Sequence, residues 1–374
     1  MQTEIASIYA INQVEDMPTP ALVVFPQLVE SNIRELISMA GSVSRLRPHI
    51  KTSKSADAVK QLQSAGISKF KCATIAEAEL LGNCGAKDVL LAYQPVGPNI
   101  NRFAALIKRF PNTSFACLID RHEIAQQLNH IALTADVRIN IYIDVNVGMN
   151  RSGANPVDVP ALAQACSALA SLNLLGLHCY DGHIHDASLE ERRNRCKAYF
   201  VDIEELILQL DALYEKSFAI VAGGTPTFPI HAANPQKELE CSPGTFIFWD
   251  KGYQELFAEQ GFQVAALVLS RVISIIDNRK LCLDLGHKAI ASENERSKRV
   301  FFMNAPDAQL VSHSEEHAVI EVADTRAYHV GDLFYGIPYH ICPTVALYDT
   351  AVTVTNSQLT GEWQIAARKR KLTI

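Results

Sequence analysis

Hydrophobic positions in the first 250 residues follow two alternating patterns. Short apolar runs typical of buried strands recur along the chain, and the stretches between them place apolar residues at helical spacing. The runs predict eight strands, at residues 46–50, 69–73, 88–92, 114–119, 139–145, 174–179, 218–222 and 238–243. Eight strands that alternate with helices predict an α/β fold of the (β/α)8 TIM-type barrel class rather than an open doubly wound sheet.

The hydrophobic pattern changes after residue 250. Short segments rich in Val, Ile, Tyr and Phe predict a mostly antiparallel β domain, with strands within residues 264–276, 280–284, 300–302, 317–322, 333–335 and 346–354. An earlier apolar run at Ala21–Phe25 is a ninth strand, which we expect to join the β domain. The predicted domains are an N-terminal segment (residues 1–25), the barrel (26–250) and a C-terminal β domain (251–374).

Composition narrows the class of protein. The chain has 374 residues, 48% of them hydrophobic, and a net charge of −6, which suits a two-domain globular protein. Basic residues cluster only at Arg368–Lys371, so we do not expect a nucleic-acid partner. No apolar run approaches the ~18 residues of a membrane span, and the N-terminus lacks the pattern of a signal peptide. Nine cysteines without a CxxC pair indicate a reducing cytoplasm rather than a disulfide framework.

The first candidate for chemistry is Lys51, in the stretch Arg45–Lys54. The predicted strand 46–50 delivers Lys51 to its C-terminal end, where catalytic side chains lie in barrels of this class. A lysine in a partly apolar setting can lose its proton and form a Schiff base with an aldehyde cofactor. The competing interpretation is a surface lysine at the end of a strand.

Two glycine-threonine turns follow the last two predicted strands. They supply five candidate phosphate-binding residues, which are Gly223, Gly224, Thr225, Gly244 and Thr245. Turns at this end of a barrel form the recurrent phosphate cradle, because glycine lets backbone N–H groups approach the anion. A phosphorylated aldehyde held there and facing Lys51 would be pyridoxal 5′-phosphate. Either turn alone is also typical of an ordinary chain reversal.

A polar loop, Asp144–Gly153, follows the fifth strand and carries Arg151 between two glycines. The functional interpretation is that Arg151 hydrogen-bonds an anionic oxygen of the cofactor or a substrate carboxylate. The alternative is a solvated arginine in a surface loop.

These motifs together resemble a known family. Pro48–Thr52, Asp144–Gly153, Gly223–Thr225 and Pro243–Thr245 occur in the order seen in pyridoxal-phosphate enzymes of the alanine racemase fold. The branch most similar to the chain contains D-threonine aldolase and eukaryotic-type D-serine dehydratase. The resemblance spans nearly the whole chain, and it implies Lys51 as the Schiff-base lysine. It also implies a homodimer with the active site at the subunit interface.

A second candidate site lies in the β domain at His340 and Cys342. In an extended segment these side chains project to the same side, so they can share one metal ion. Nitrogen and thiolate ligands suit zinc, whereas manganese prefers oxygen. The segment resembles the metal-binding segment of the same family branch, which implies a divalent metal, zinc or manganese, as a second cofactor.

The sixth strand leads into a segment that crowds polar groups at the barrel mouth. Tyr180 resembles the aromatic residue that contacts the cofactor ring in this family. His183 and His185 are both candidates for the base that removes a hydroxyl proton, and the choice between them stays open. Each histidine could instead cap loop backbone.

The resulting hypothesis is a pyridoxal-phosphate- and metal-dependent lyase for D-3-hydroxy amino acids. The first version is a D-threonine aldolase-like cleavage to glycine and an aldehyde, and the alternative is a D-serine dehydratase giving pyruvate and ammonia. In the alanine racemase fold an arginine often faces the pyridine nitrogen where this chain has Ser242, which argues against racemisation. A racemase would place Tyr335 or Tyr339 opposite Lys51, and a non-catalytic pyridoxal-phosphate-binding protein is the remaining alternative.

Overall fold

The structure is a computed structural model that describes residues 5–236 and 238–374. The strands in chain order are β1 (Ala21–Val24), β2 (Lys69–Cys72), β3 (Asp88–Leu91), β4 (Ser114–Ile119), β5 (Ile139–Asp144), β6 (Leu172–Cys179), β7 (Ala219–Ala222), β8 (Leu239–Cys241), β9 (Ala266–Ile275), β10 (Lys280–Leu283), β11 (Val300–Phe302), β12 (Gln309–His313), β13 (Ala318–Glu321), β14 (Leu333–Pro338), β15 (Thr350–Thr355) and β16 (Gln358–Gln364).

The α-helices are α1 (Pro26–Ala40), α2 (Ala56–Ser64), α3 (Ile75–Asn83), α4 (Pro98–Arg109), α5 (His122–Ala135), α6 (Val159–Ser167), α7 (Leu189–Tyr214), α8 (Phe228–Ala233), α9 (Lys251–Leu256) and α10 (Ile341–Val345). In the described part of the chain, no helix combines the length and the apolar character that crossing a membrane requires.

The chain separates into two compact units. The barrel unit comprises Arg34–Lys51, Val59–Gly244 and Lys369–Ile374. The β unit comprises the residues up to Ile33, Thr52–Ala58 and Thr245–Arg368.

Seven parallel strands, β2 to β8 in sequence order, form the sheet of the barrel unit. The segment Leu46–Ile50 pairs with both ends of this sheet, through bridges from Leu46 to Cys241 and from His49 to Lys71. It is not a regular strand, because Pro48 has no N–H to donate to a ladder. The predicted α/β barrel class is confirmed, with this segment in the place of the eighth strand.

An ion-pair network holds the segment in place. The fully buried Arg47 donates through Nε to Glu240 Oε2 at 2.6 Å and through Nη1 to Asp88 Oδ1 at 2.6 Å. Its backbone N–H also donates to the Cys241 carbonyl at 2.9 Å. Breaking one partner of such a buried charge pair is strongly destabilising, so the chain leading to Lys51 is firmly fixed.

Nine strands form the sheet of the β unit, and most neighbouring pairs are antiparallel. The path runs β12-β13-β10-β9-β1-β15-β16, with β14 also paired to β9 and β11 paired to β14. The N-terminal strand β1 lies between β9 and β15. Two strands at the ends of the path, β12 and β16, were absent from the prediction, because no side chain of β12 and only one of β16 is buried.

Candidate active site

A cavity of about 350 Å³ opens at the C-terminal ends of the barrel strands. Most of its lining residues carry charge or hydrogen-bonding groups, and these are His49, Lys51, Lys71, Tyr93, Arg151, Ser152, His178 and Tyr180. The volume lies in the range that holds a cofactor-sized ligand. The structure therefore brings together three residues predicted from the sequence, Lys51, Arg151 and Tyr180, with others that were not predicted to act there, among them Lys71 and His178.

A buried hydrogen-bonded chain runs along one wall of the cavity. Asp144 Oδ1 lies 2.7 Å from His178 Nδ1, and His178 Nε2 lies 3.0 Å from Lys71 Nζ. Lys71 Nζ also donates to Ser242 Oγ at 2.8 Å. Burial alone would raise the pKa of Asp144, but the bond and charge of His178 outweigh it and lower that pKa. Burial and the Lys71 amine lower the pKa of His178, which favours its neutral form.

Two basic side chains lie close to the ring of Tyr180. The Arg151 guanidinium carbon is 4.8 Å from the ring centre, and Lys71 Nζ is 5.3 Å from it. Both distances are within the range of attraction between a cation and an aromatic face. The tyrosine therefore carries two positive groups along the cavity wall, which favours an anionic or electron-rich ligand.

The phosphate-type turn after β7 requires glycine at Gly223 and is closely packed at Gly224. Gly223 has φ +77°, and a Cβ there would lie 2.7 Å from the ring of His231. A Cβ on Gly224 would lie 3.1 Å from Tyr180, so the turn approaches the cavity wall closely. Thr225 Oγ1 accepts the N–H of Gly244 at 3.1 Å, which ties this turn to the turn after β8. The barrel unit thus builds one joined cradle from both predicted turns.

Behind the cradle lies a group of three potential metal ligands, Asp181, Cys196 and His231, with donor atoms within 4.8 Å of one another. It is the one such group of three among the described residues. Its atoms already have partners, because Asp181 Oδ2 bonds His231 Nε2 at 2.8 Å and Oδ1 accepts the Thr227 hydroxyl at 2.8 Å. The Thr227 hydroxyl in turn accepts the Gly224 N–H at 3.2 Å. The group therefore supports the cradle without needing an ion.

The two candidate base histidines do not line the cavity. His183 is partly buried, and its Nε2 would meet a Cβ on Gly148 at 3.0 Å, in the loop that carries Arg151. Burial and the nearby Arg195 lower the pKa of His183. His185 is exposed. The histidines that line the cavity are His49 and His178. The role of His183 and His185 as bases stays a prediction.

The second predicted site lies in the β unit. His340 is half exposed, and its Nδ1 lies 2.5 Å from Glu293 Oε1. Burial opposes its charge, but bonds to the Cys342 thiol and to Glu293 raise the pKa of His340 to about 9. The sulfur of Cys342 lies 3.0 Å from Thr52 Oγ1 and 3.6 Å from the hydroxyl of Thr245. An imidazole and a thiol in contact with each other form a pair of donors that suits a divalent ion, and the Glu293 carboxylate holds the imidazole.

A buried carboxylate shapes the segment that carries this pair. Asp250 accepts the N–H of Ile341, which lies between the two candidate ligands, at 3.1 Å, and the N–H of Tyr253 at 2.9 Å. Burial raises the pKa of Asp250 to about 6. Such supporting carboxylates orient metal ligands in many proteins.

Lys71 and His178 are the residues of the cavity that sequence reasoning missed. The position of Lys71 in the sequence could have indicated its role. Lys71 lies near the end of the strand that follows the Lys51 segment, where its side chain can reach the barrel mouth. Their contact joins residues 107 positions apart, which no local pattern reveals.

The fold and the barrel-mouth cavity place the chain among enzymes built on parallel-stranded barrels. The model of the alanine racemase N-terminal domain matches residues 26–250, and a putative serine dehydratase domain matches residues 265–354. The chain therefore belongs to the alanine racemase N-terminal domain family, and the resemblance predicted from its motifs is confirmed.

The chain is also similar over most of its length to individual proteins of known activity. The chain is 28% identical to a 3-hydroxy-D-aspartate aldolase of Paracoccus denitrificans (strain Pd 1222), over 94% of this chain and 92% of that protein. It is 27% identical to a D-threonine aldolase of an Arthrobacter species, with the same coverage. The crystal structure of D-threonine aldolase from Filomicrobium marinum superimposes with a TM-score of 0.86 at 24% identity, covering 95% of this chain and 96% of that one.

Proposed function

We propose that the protein is a pyridoxal-phosphate- and divalent-metal-dependent lyase that cleaves D-3-hydroxy amino acids to glycine and an aldehyde. The observation that carries the proposal is the single cavity lined by Lys51, Arg151 and Tyr180, beside the cradle at Gly224. The names of the aldolase relatives support the same reaction class.

The residues of the barrel unit fit pyridoxal phosphate. The glycine-rich turns of the joined cradle suit a phosphate, because backbone N–H groups at glycine can approach an anion closely, and Lys51 supplies the amine. Tyr180 offers a ring face, and Arg151 offers a permanent cation to an anionic oxygen. When bound, the cofactor supplies an imine link to an amine and an electron sink for the bond that breaks.

The residues of the β unit fit a divalent metal. His340 and Cys342 would be its protein ligands. Glu293 would orient the imidazole of His340, and Asp250 fixes the backbone between the two ligands. A bound ion would act as a Lewis acid on a substrate oxygen.

The two reactions, aldol cleavage and dehydration, require different residues of the chain to act as the base. For aldol cleavage a base, His183 or His185 in our prediction, removes the substrate hydroxyl proton. For dehydration Lys51 Nζ instead removes the proton on the α-carbon. The dehydratase remains the second candidate because the C-terminal part matches a putative serine dehydratase domain and because Cys342 supplies the metal pair with a thiol.

The proposed working form is a homodimer in the cytoplasm, with the active site completed at the subunit interface. The family resemblance supports the dimer. The cysteines support the compartment, since all nine lie in the described residues and none forms a disulfide. Sedimentation of the loaded protein tests the dimer directly.

The test is product analysis with purified protein. D-Threonine, 3-hydroxy-D-aspartate and D-serine are each supplied with and without a chelator, and aldehyde, glycine, keto acid and ammonia are measured. Glycine with an aldehyde, lost on chelation, is the expected result. Keto acid and ammonia select the dehydratase, and an L-isomer formed despite the chelator overturns both. Lys51→Ala should lose the visible absorbance of bound cofactor and all turnover, whereas the surface variant Lys298→Met should retain both.

A further inference from the structure

Lys71 is a buried lysine inside the barrel unit. Its residue is only 2% exposed, and it lines the same cavity as Lys51. Lysine is almost never fully buried unless its amine is paired or has a function. The hydrogen bonds that its amine already donates determine which further contact it can make.

The direction of each hydrogen bond along the buried wall follows from its neighbours. A carboxylate only accepts, so the proton at 2.7 Å from Asp144 belongs to His178 Nδ1, and the neutral ring then accepts at Nε2. Lys71 must therefore donate to His178. Ser242 gives its hydroxyl hydrogen to the Gly223 carbonyl at 2.9 Å and so accepts from Lys71.

These two bonds use two of the three hydrogens of a charged amine. Among the described residues, Lys71 Nζ makes no third hydrogen bond, and the ring of Tyr180 has its centre 5.3 Å away. The third hydrogen is thus left for a ligand in the cavity. Because both anchors are themselves fixed, the amine is held in place before a ligand arrives.

The chemistry of the cofactor assigns the acceptor. The proposed function gives the phosphate to the cradle and the aldehyde to Lys51, which leaves the ring nitrogen and the phenolic oxygen. Arg151 is permanently charged and suits the anionic oxygen, whereas a titratable amine suits a nitrogen that itself takes up a proton. We propose that Lys71 is a catalytic residue that donates a hydrogen bond to the ring nitrogen of bound pyridoxal phosphate. The inference rests on the proposed function.

The charges around Lys71 make this donor adjustable. Burial and the neighbouring Lys51 lower the pKa of Lys71 to about 7, while Asp144 and Asp181 oppose the shift and Arg151 adds to it. The other groups facing the amine are His178, held neutral, and the ring of Tyr180. An amine that gains and loses its proton near neutral pH changes how strongly the ring withdraws electrons.

The experiment compares Lys71→Met with the wild type and with Lys298→Met, an exposed lysine of the β unit. Pyridoxal phosphate is titrated into each apo protein, and the absorbance spectrum of each holo protein is recorded against pH. The wild type should show a spectral transition with a midpoint near pH 7. Lys71→Met should bind the cofactor ~10-fold more weakly, as expected for one lost charge-assisted bond, and lose the transition. Lys298→Met should match the wild type.

The outcomes separate the two claims. A wild type that does not bind pyridoxal phosphate overturns the proposed function. A wild type that binds it, together with a Lys71→Met protein of equal affinity and an identical pH profile, overturns only the role of Lys71. If Lys71→Met fails to fold, Ser242→Ala replaces it, because this variant removes one of the two anchors. A shifted midpoint in Ser242→Ala supports the inference, and an unchanged one overturns it.

Discussion

Among the described residues, each unit carries a set of potential metal ligands, Asp181, Cys196 and His231 in the barrel unit and His340 with Cys342 in the β unit, and the two sets differ in burial. In the barrel unit, Asp181 and His231 are buried and hydrogen-bonded to each other and to neighbouring hydroxyls. In the β unit, His340 is half exposed, and its segment is fixed through backbone bonds to Asp250. Both have ligand chemistry suited to a metal, so residue type alone does not distinguish them.

The difference between the two groups shows that existing hydrogen bonds identify a structural network better than the types of residue in it do. A buried carboxylate that already accepts two or more hydrogen bonds has little to gain from an ion and much to lose if its donors are removed. A partly exposed imidazole and thiol on a fixed turn keep room for further ligands. We therefore propose that the first group supports the turn after β7 and that the second group binds the metal.

The largest expected effect comes from removing both proposed ligands. The double variant His340→Ala/Cys342→Ala should lose the bound metal and lower lyase turnover by ~10³-fold or more, since a Lewis acid supplies several kcal/mol of stabilisation. Metal content and product formation are measured on the same samples. Cys282→Ala, another partly exposed cysteine of the β unit, is the matched control and should change neither. Full metal content in the double variant would assign the ion elsewhere.

The converse variant tests the barrel-unit group. Asp181→Ala removes the partner of four groups, on Thr227, Tyr199, His231 and Cys196, and should lower the free energy of unfolding by about 3–5 kcal/mol. Metal content per folded chain should stay at the wild-type level. Urea unfolding and metal analysis give both numbers.

The control for this variant is Asp186→Ala. Its partly exposed ion pair with Arg195 should contribute ~1 kcal/mol or less. If Asp181→Ala were as stable as the wild type but lacked metal, the two groups would have to exchange their assignments.

The barrel could be predicted from the sequence because its buried strands appear there as apolar runs. It missed β12 and β16, since an exposed edge strand such as Gln358–Gln364 has no apolar pattern. It also treated residues 46–50 as a regular strand, although Pro48 limits that segment to isolated bridges. Patterns predict what is buried and regular, and miss what is exposed or interrupted.

The site divides in the same way. Lys51, Arg151 and Tyr180 lie in local motifs and were predicted, and the structure places all three around one cavity. The wall of Asp144, His178 and Lys71 depends on contacts between residues 34 and 107 positions apart. Single-sequence patterns carry no information about such pairs, so this part of the site had to come from the structure.

A smaller effect is expected from the carboxylate behind the metal pair. Asp250→Asn replaces one of two acceptor oxygens by a donor, which opposes the N–H of Ile341 or Tyr253 and loosens the turn. We expect metal affinity to fall by ~10–100-fold, the usual cost of losing such a partner. Competition with a metal indicator measures it. Asp277→Asn is a matched control, because Asp277 accepts the N–H groups of Arg279 and Lys280 in the same unit.

The smallest expected effect is a difference in acid stability. Burial would raise the pKa of Asp181, but His231 and the hydroxyls of Thr227 and Tyr199 outweigh it and lower that pKa below 3.8. A carboxyl with a depressed pKa contributes stability above its unfolded value, and this contribution is lost as the pH falls through the folded value. Between pH 4 and the acid limit of folding, the wild type should therefore lose stability more steeply than Asp181→Asn, which cannot titrate. Urea unfolding at several pH values measures how the free energy of unfolding of each protein depends on pH. An equal dependence in both proteins would show that the charge of Asp181 does not stabilise the fold.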